Sequence, residues 1–203
     1  LEIGLTPNRN DAMGHLGVAR DLRAGLLHGT VQEFTQKGLP EVTMLNSMNI
    51  DFKKGLSVGF KAEVEASVSA LAPRYTLIEI EGLTMGPSPD HAQRFLKSIG
   101  CSPINNVVDA TNYVLHELGQ PLHAFDADTI QGGLSVRLAS KDEKITTLDG
   151  EKRELNESDL VIADANEAMC IAGVFGSEKH GVSNETKRIL LESAFFNPVS
   201  IRK

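Results

Sequence analysis

Apolar residues recur with helical spacing in three segments of the chain. Residues 1–27 predict a short extended piece and then a helix, with Asn10 or Asp11 as its cap. A second predicted helix opens at Ser88 or Asp90 and closes at Gly100. The apolar positions of these two helices are Leu16, Val18, Ala19, Leu22, Leu26 and Leu27 in the first, and Ala92, Phe95, Leu96 and Ile99 in the second.

The third helical segment lies within residues 104–126. Its apolar arc faces away from a polar arc, Gly119 is suited to a left-handed cap, and Pro121 prevents any continuation. The chain then reverses, so that Asn112 and His123 can meet at one mouth. The apolar arc contains Val107, Val108, Ala110, Val114, Leu115 and Leu118, and from the polar arc we expect Asn105, Asp109 and Glu117 to be exposed.

Strand patterns dominate the rest of the chain. Residues 74–84 and 134–138 alternate between apolar and polar, and residues 144–148 and 151–155 flank Asp149-Gly150, a strong hairpin signal. Continuously apolar runs predict central strands at residues 160–163, 168–175 and 189–194. Many strands after two helices indicate an α+β fold, with a mixed or antiparallel sheet core and flanking helices, rather than a doubly wound sheet.

The remaining segments bear on domain organisation. Glycines and a proline interrupt any period from His28 to about Leu56, which predicts a linker with local strands. Residues 197–203 predict an N-cap, a proline at the first helical position and one nascent turn. Because the chain also opens without Met, we expect a fragment of a longer polypeptide.

Composition narrows the class of protein. The chain has 203 residues, 41% of them hydrophobic and 23% charged, as in ordinary globular proteins. It contains no run of about 18 apolar residues and only two cysteines, so we expect no membrane association and a reducing cytoplasm. The net charge of −7 argues against a long nucleic-acid track, because phosphate binding favours basic surfaces. If the protein binds a nucleic acid, it should contact only the end of that molecule.

Two polar residues lie in apolar surroundings. Thr111 falls inside the apolar arc of the third helix, where its hydroxyl needs a partner; the carbonyl one turn back is a structural alternative to a site. Glu192 lies in an apolar strand, where its carboxylate either reaches the surface, finds a donor or has a raised pKa. Gly173 and Gly176 offer bare backbone for the approach of a ligand, or form a bulge or turn.

Established catalytic motifs do not assemble from the residues. His116, His123 and Asp126 match no zinc spacing, so we expect no metal; no set of nucleophile, histidine and acid assembles, and no cysteine has an obvious activating neighbour. A hydrolase built on this chain would therefore have to act on an already activated bond. For an activated bond, a positioned water and support for the oxyanion can suffice.

The chain resembles the editing domain in the beta subunit of bacterial phenylalanyl-tRNA synthetase. The resemblance rests on residues 104–126 (INNVVDATNYVLHELGQPLHAFD), on 5–11 (LTPNRND) with 17–21 (GVARD), and on 190–196 (LLESAFF) with 198–201 (PVSI). It implies that residues 1–56 are a helical remnant of a preceding domain plus a linker, and that residues 57–203 form the editing domain.

The same resemblance implies the function. The domain would hydrolyse the ester of tyrosine mischarged onto phenylalanine tRNA, with Glu192 receiving the phenol hydroxyl. His123, Asn112 and Thr111 would form the catalytic set, and the substrate-binding set would add Gly173, Gly176, Ala172 and Phe125. The alternative is a non-catalytic module that binds the aminoacyl end or serves in assembly; a metal hydrolase with its metal at His123 is a third possibility.

The implied assembly is larger than the chain. The expected partners are the 3' aminoacyl end of phenylalanine tRNA, the tyrosine moiety, and the alpha subunit in an alpha2beta2 synthetase. No cofactor is expected in this fragment, whereas ATP and Mg belong to the full enzyme.

Overall fold

The computed structural model describes residues 3–28 and 60–202. Within these residues a helix comes first, and most of the elements that follow it are strands. The helices are α1 (His15–His28), α2 (Asp90–Ser98), α3 (Asn106–Leu118) and α4 (Pro198–Ile201). The strands are β1 (Ala62–Val64), β2 (Arg74–Glu81), β3 (His123–Asp126), β4 (Leu134–Leu138), β5 (Lys144–Thr146), β6 (Lys152–Glu154), β7 (Leu160–Ala163), β8 (Ala168–Ile171), β9 (Phe175–Gly176) and β10 (Arg188–Phe195).

The strands form two sheets and a hairpin. The five-stranded sheet has the order β1-β4-β7-β8-β9, with a parallel β1–β4 pair and antiparallel pairs elsewhere. The three-stranded sheet has the order β2-β10-β3 and is antiparallel throughout. Strands β5 and β6 form the hairpin. The α+β class with a mixed and antiparallel sheet core, predicted from the sequence, is confirmed.

Among the described residues, three apolar clusters hold the layers together, and each sheet buries residues on both of its faces. The largest cluster fills the space between the two sheets and includes Phe125, Val136, Ile162, Met169 and Leu190. A second lies under the β5–β6 hairpin, on the other face of the five-stranded sheet. The third joins the other face of the three-stranded sheet to α3 through Val107, Ala124 and Ile189.

Most predicted strands are confirmed, and one is corrected. The hairpin at Asp149-Gly150 forms, with Gly150 at φ 78°. The apolar run of residues 168–175 is wrong as a single strand: β8 ends at Ile171, and a turn through Gly173 leads into β9. The turn is closed by Val174 N–H, which donates to the Ile171 carbonyl at 2.9 Å, and Gly173 takes φ 71°, where a side chain is strained.

One predicted helix start is corrected and the other is confirmed. Asn10 and Asp11 belong to a 3₁₀ turn and α1 begins later, at His15; the Asp11 carboxylate accepts a hydrogen bond from the Arg9 guanidinium. Helix α2 begins at Asp90, one of the two predicted starts, with Pro89 at its N-cap position and no side-chain cap.

The helix ends and the C-terminal cap agree with the sequence. Gly100 and Gly119 follow α2 and α3 with φ values of 84° and 76°. The Asn197 side chain accepts hydrogen bonds from the backbone of α4, as its predicted capping role requires. The predicted linker with local strands, from His28 to about Leu56, lies outside the described residues except at His28.

The described part of α1 packs near the end of α3. A Cβ added to Gly14 would lie 2.6 Å from the Gly119 nitrogen, and the His15 ring bonds the His116 carbonyl at 2.8 Å. The proposed division at residues 56 and 57 stays a prediction. Among the described helices, none combines the length and the hydropathy that crossing a membrane would require.

Candidate functional site

The three-stranded sheet turns one face, here called the inner face, toward the five-stranded sheet. The antiparallel register sets His123 of β3 directly opposite Glu192 of β10 and sets Leu77 of β2 on the other side of Glu192. Tyr75, two residues before Leu77, therefore lies diagonally across from Glu192 on the same face. Alternation along each strand brings these polar groups together at one end of the inter-sheet core.

Glu192 is only 7% exposed. The Tyr75 hydroxyl donates to its Oε2 atom at 3.0 Å, and Oε1 has no hydrogen-bond partner among residues 3–28 and 60–202. Burial raises the pKa of this carboxyl to about 7, and the Tyr75 hydrogen bond opposes part of that rise. Of the alternatives open from the sequence, an outward-facing Glu192 is wrong, and the carboxylate has both a donor and a raised pKa.

His123 is half-buried beside Phe125, with ring centroids 4.4 Å apart in an edge-to-face arrangement. Burial lowers its pKa to about 4, so the imidazole is neutral at pH 7. Within the described part of the chain its ring nitrogens have no hydrogen-bond partner. A neutral imidazole in this state can accept a proton from a bound water.

Gly176 lies against the His123 ring. A Cβ added there would come 2.6 Å from His123 Cε1 and 3.0 Å from Nε2, so only glycine leaves the ring in its place. The strand register pairs Gly176 with Cys170, whose thiol pKa is raised by burial and by the neighbouring Glu192 carboxylate. Cys170 is therefore a protonated, unreactive thiol at neutral pH.

Ala172 and Gly173 lie at the adjacent β8–β9 turn. Ala172 is fully buried in the inter-sheet core. A Cβ on Gly173 would meet Phe196 Cδ2 at 3.3 Å and Ile201 of α4 at 3.6 Å. Ala172 also borders a cavity of about 500 Å³ together with residues of the 156–160 segment and of α4.

Thr111 and Asn112 occupy α3, which packs against the other face of the three-stranded sheet. The Thr111 hydroxyl donates to the Val108 carbonyl at 2.8 Å, which is the helical alternative left open by the sequence. Asn112 is half-buried, and its amide has no partner among the residues that the structure describes. The structure thus groups His123, Glu192, Phe125 and Gly176, while the other predicted members lie at the neighbouring turn or on α3.

Three expected exposures at α3 are wrong, the first being that of Glu117, which is half-buried. Asp109 is buried and accepts hydrogen bonds from the Ser88 hydroxyl and from the Ile104 N–H, the latter at 2.8 Å. Asn105 is half-buried as the N-cap, accepting from the amides of Val107 and Val108. Asp109 and Asn105 both organise the helix rather than contact solvent freely.

Tyr75 is the functional candidate that the sequence did not reveal. Burial and the Glu192 carboxylate both raise the pKa of its phenol, so the hydroxyl remains a donor. Alternation within β2 could have shown which face Tyr75 occupies, but only the β2–β10 register shows its partner.

As for metals, the described ranges hold no group of three or more histidine, cysteine, aspartate or glutamate side chains able to bind one.

The site combines a neutral imidazole with a buried carboxylate that ionises near neutrality. The imidazole can accept and return a proton, and the unpaired Glu192 oxygen can accept a hydroxyl. Such an arrangement is suited to recognising a small hydroxyl-bearing group beside a positioned water.

Comparison with known proteins shows which family the chain belongs to. The family model for the B3/4 domain matches residues 71–203. Similar curated proteins are phenylalanine–tRNA ligase beta subunits from Geobacter metallireducens (45% identical over 203 residues) and Bacteroides fragilis (42% over 204 residues), each aligned over 100% of this chain. The chain spans 24% of the length of each of these relatives.

A solved structure shows the same fold at low identity. It is an N-terminal fragment of the phenylalanyl-tRNA synthetase beta subunit from Pyrococcus horikoshii, with a TM-score of 0.51 and 16% identity. The match covers 96% of this chain and 55% of that one. The resemblance to beta subunits predicted from the sequence is thereby confirmed, and because the family model matches most of its length, the chain belongs to the B3/4 domain family.

Proposed function

We propose that this chain is the editing domain of a phenylalanyl-tRNA synthetase beta subunit and hydrolyses the ester of tyrosine mischarged onto phenylalanine tRNA. The observation that carries the proposal is the pairing of His123 with Glu192 on the inner face. The names of the relatives indicate phenylalanine as the correct amino acid, and the buried Glu192 carboxylate offers a means of recognising its hydroxylated analogue, tyrosine.

Selection requires a second site because tyrosine differs from phenylalanine only by a hydroxyl. An apolar pocket rejects such an addition by only about 10²-fold, whereas a site that hydrogen-bonds a hydroxyl rejects the analogue lacking it by 10⁴–10⁵-fold. In the proposed complex Glu192 Oε1 accepts the phenol hydroxyl. Phenylalanine would leave that buried carboxylate oxygen without a donor.

Hydrolysis needs one water and one proton acceptor. The water oxygen bonds to the ester carbonyl carbon, His123 takes a water proton, and the bond from that carbon to the ribose oxygen breaks. The proton passes to the ribose oxygen, which leaves free tyrosine and uncharged tRNA. Gly176 keeps the His123 ring accessible, and Phe125 fixes its orientation. Asn112 is proposed to order the water, with Ala172 and Gly173 as walls, while the Thr111 hydroxyl stays bonded to the Val108 carbonyl of its own helix.

The proposal extends to the assembly around the domain. The chain would meet only the 3' aminoacyl end of phenylalanine tRNA, since its net charge of −7 disfavours a longer contact. The alpha subunit in an alpha2beta2 enzyme would hold the rest of the tRNA, and ATP and Mg would serve the synthetic reaction there. We propose the cytoplasm as the location.

The test compares two esters in two variants of the assembled synthetase with its synthetic site blocked. Glu192→Ala should sharply lower kcat/KM for tyrosyl-tRNA and raise it for the phenylalanyl ester. His123→Ala should slow whatever hydrolysis occurs and leave the preference unchanged. If Glu192→Ala lowers both rates equally, Glu192 is catalytic or structural rather than selective. Binding of tyrosyl-tRNA without release of free tyrosine would favour the non-catalytic module.

A further inference from the structure

The carboxylate proposed to receive the substrate's phenol already holds a phenol of its own chain. Tyr75 reaches Glu192 diagonally across the β2–β10 pair, and its hydroxyl lies 3.0 Å from Oε2. This bond links residues 117 positions apart and uses one of the two carboxylate oxygens. The other oxygen, Oε1, is left without a hydrogen-bond partner within the described ranges.

Every titratable group that the structure places around Glu192 leaves the carboxylate without a countercharge. His123, on β3, is neutral at pH 7 because burial lowers its pKa. Cys170, on β8, is protonated because burial raises its thiol pKa. Tyr75, on β2, is therefore the described side chain that donates to the ionised form and favours it over the protonated form.

We infer that Tyr75 determines specificity: its hydroxyl fixes Glu192 Oε2 and favours the carboxylate form, so that Oε1 is presented to the substrate hydroxyl. This inference rests on the proposed function of the site. An ionised carboxylate accepts hydrogen bonds but donates none, so it rewards a phenol O–H and is left unpaired by a phenyl ring. A protonated Glu192 would be neutral and would discriminate less.

Tyr75→Phe in the assembled synthetase removes the hydroxyl and keeps the ring. The ratio of kcat/KM for tyrosyl-tRNA to that for phenylalanyl-tRNA should fall about tenfold or more, the range expected for loss of a hydrogen bond to a charged group. The pH at which the preference develops should move upward, because Glu192 loses its donor. A purely structural role for Tyr75 would lower both rates without moving that pH.

Tyr113→Phe is the matched control, since the chain has only two tyrosines. Tyr113 lies on α3 and packs on Phe95, with ring centroids 4.5 Å apart. Its loss should leave both the preference and its pH dependence unchanged. If Tyr75→Phe also leaves them unchanged while the unmodified enzyme still selects tyrosine, the inference is wrong and the proposed function stands. If the unmodified enzyme releases no tyrosine, the proposed function itself is wrong.

A spectroscopic measurement on the 203-residue chain tests the bond without an activity assay. The chain has no tryptophan and two tyrosines, so in the Tyr113→Phe variant all tyrosine fluorescence comes from Tyr75. Its intensity should change with a midpoint near pH 7 as Glu192 ionises, and Glu192→Gln should abolish that transition. A fluorescence intensity that stays constant between pH 5 and about pH 9 would overturn the inference. Tighter binding of tyrosine by Tyr75→Phe, with an unshifted pH dependence, would also overturn it, because Tyr75 would then merely compete with the substrate for Glu192.

Discussion

Two buried carboxylates lie near opposite faces of the three-stranded sheet, and they are satisfied differently. Asp109, on α3, is 1% exposed and accepts from the Ser88 hydroxyl and the Ile104 N–H, one donor for each oxygen. Glu192, on the inner face, is 7% exposed and accepts one described hydrogen bond, from Tyr75.

The difference separates a structural carboxylate from a chemically poised one. Donors on both Asp109 oxygens tie the start of α3 to the segment before α2, which is a purely architectural task. Among the described residues only Tyr75 donates to Glu192, which leaves Oε1 as an acceptor, and the pKa of the carboxyl is raised to about 7. Buried polar groups are normally paired, so a half-satisfied carboxylate beside a neutral histidine marks a candidate site better than burial alone does.

The largest expected effect on stability comes from removing Asp109. Asp109→Ala leaves the Ser88 hydroxyl and the Ile104 N–H unpaired, at about 1–3 kcal/mol for each buried group. Urea unfolding followed by circular dichroism should therefore show a loss of roughly 3 kcal/mol or more. Glu192→Gln, measured in the same way at pH 8, should be neutral or stabilising, because it removes a buried charge. Equal losses in the two variants would contradict the distinction between the carboxylates.

The pH dependence of stability separates Glu192 from His123. The folded state raises the pKa of Glu192 from 4.5 to about 7, so the folded protein holds a proton that the unfolded chain has lost. Stability from this group is complete below about pH 4.5 and is lost as the pH rises through 7, by about 3 kcal/mol. The folded state lowers the pKa of His123 from 6.5 to about 4, so its contribution is present above pH 6.5 and is lost as the pH falls through 4.

These two contributions have opposite slopes and largely offset one another between about pH 4.5 and 6.5. Glu192→Gln should expose the histidine slope, with stability rising with pH across that window. His123→Gln should expose the carboxyl slope, with stability falling. Denaturant midpoints at half-unit pH steps measure both, with unmodified protein as the reference. Parallel profiles for the two variants would show that the shifts arise from other groups.

A methyl group at Gly176 should disturb the inner face by a smaller amount. The Cβ of Gly176→Ala would overlap the His123 ring, which must move; overpacking of this kind destabilises by about 1–3 kcal/mol. Gly86→Ala is the control, because a Cβ there meets nothing within 4 Å. In the editing assay Gly176→Ala should slow hydrolysis of both esters. Full activity in a folded Gly176→Ala variant would remove His123 from the proposed role.

Local sequence patterns predicted the helices, strands and turns better than they predicted which distant residues form hydrogen bonds with one another. The β5–β6 hairpin, the glycine ends of α2 and α3 and the Asn197 cap depend on neighbouring residues, so the sequence was sufficient. The β8–β9 turn was hidden because apolar residues fill both strands and the turn between them. The exposure predicted for Asp109 failed for another reason, since helical periodicity contains no information about donors on a preceding segment.

The candidate site shows the same contrast between residues found from local sequence and residues whose role depends on long-range pairing. The residue pattern singled out Glu192 and Gly176, resemblance to a known family assigned roles to them and to His123 and Phe125, and the strand register groups the four. Tyr75 was missed because its importance depends on the β2–β10 pairing, over more than a hundred residues of sequence. For Thr111, the sequence left two alternatives open, and choosing between a pocket hydroxyl and a helical bond required the coordinates of Val108.

The smallest expected effects on stability distinguish Thr111 from Asn112. The Thr111 hydroxyl is committed to the Val108 carbonyl of its own helix, and the Asn112 amide has no partner among the described residues. Thr111→Val and Asn112→Ala should each change the free energy of unfolding by no more than about 0.5 kcal/mol, because neither breaks a contact between elements.

The effects of these two substitutions on hydrolysis should differ. An unpaired amide is free to bind water or ester, so Asn112→Ala should lower kcat, whereas Thr111→Val should retain most activity. Single-turnover release of tyrosine by both variants, beside Thr111→Ser, measures this difference. Loss of activity in Thr111→Val, restored by serine, would show that the helical bond opens and that the Thr111 hydroxyl takes part in the site.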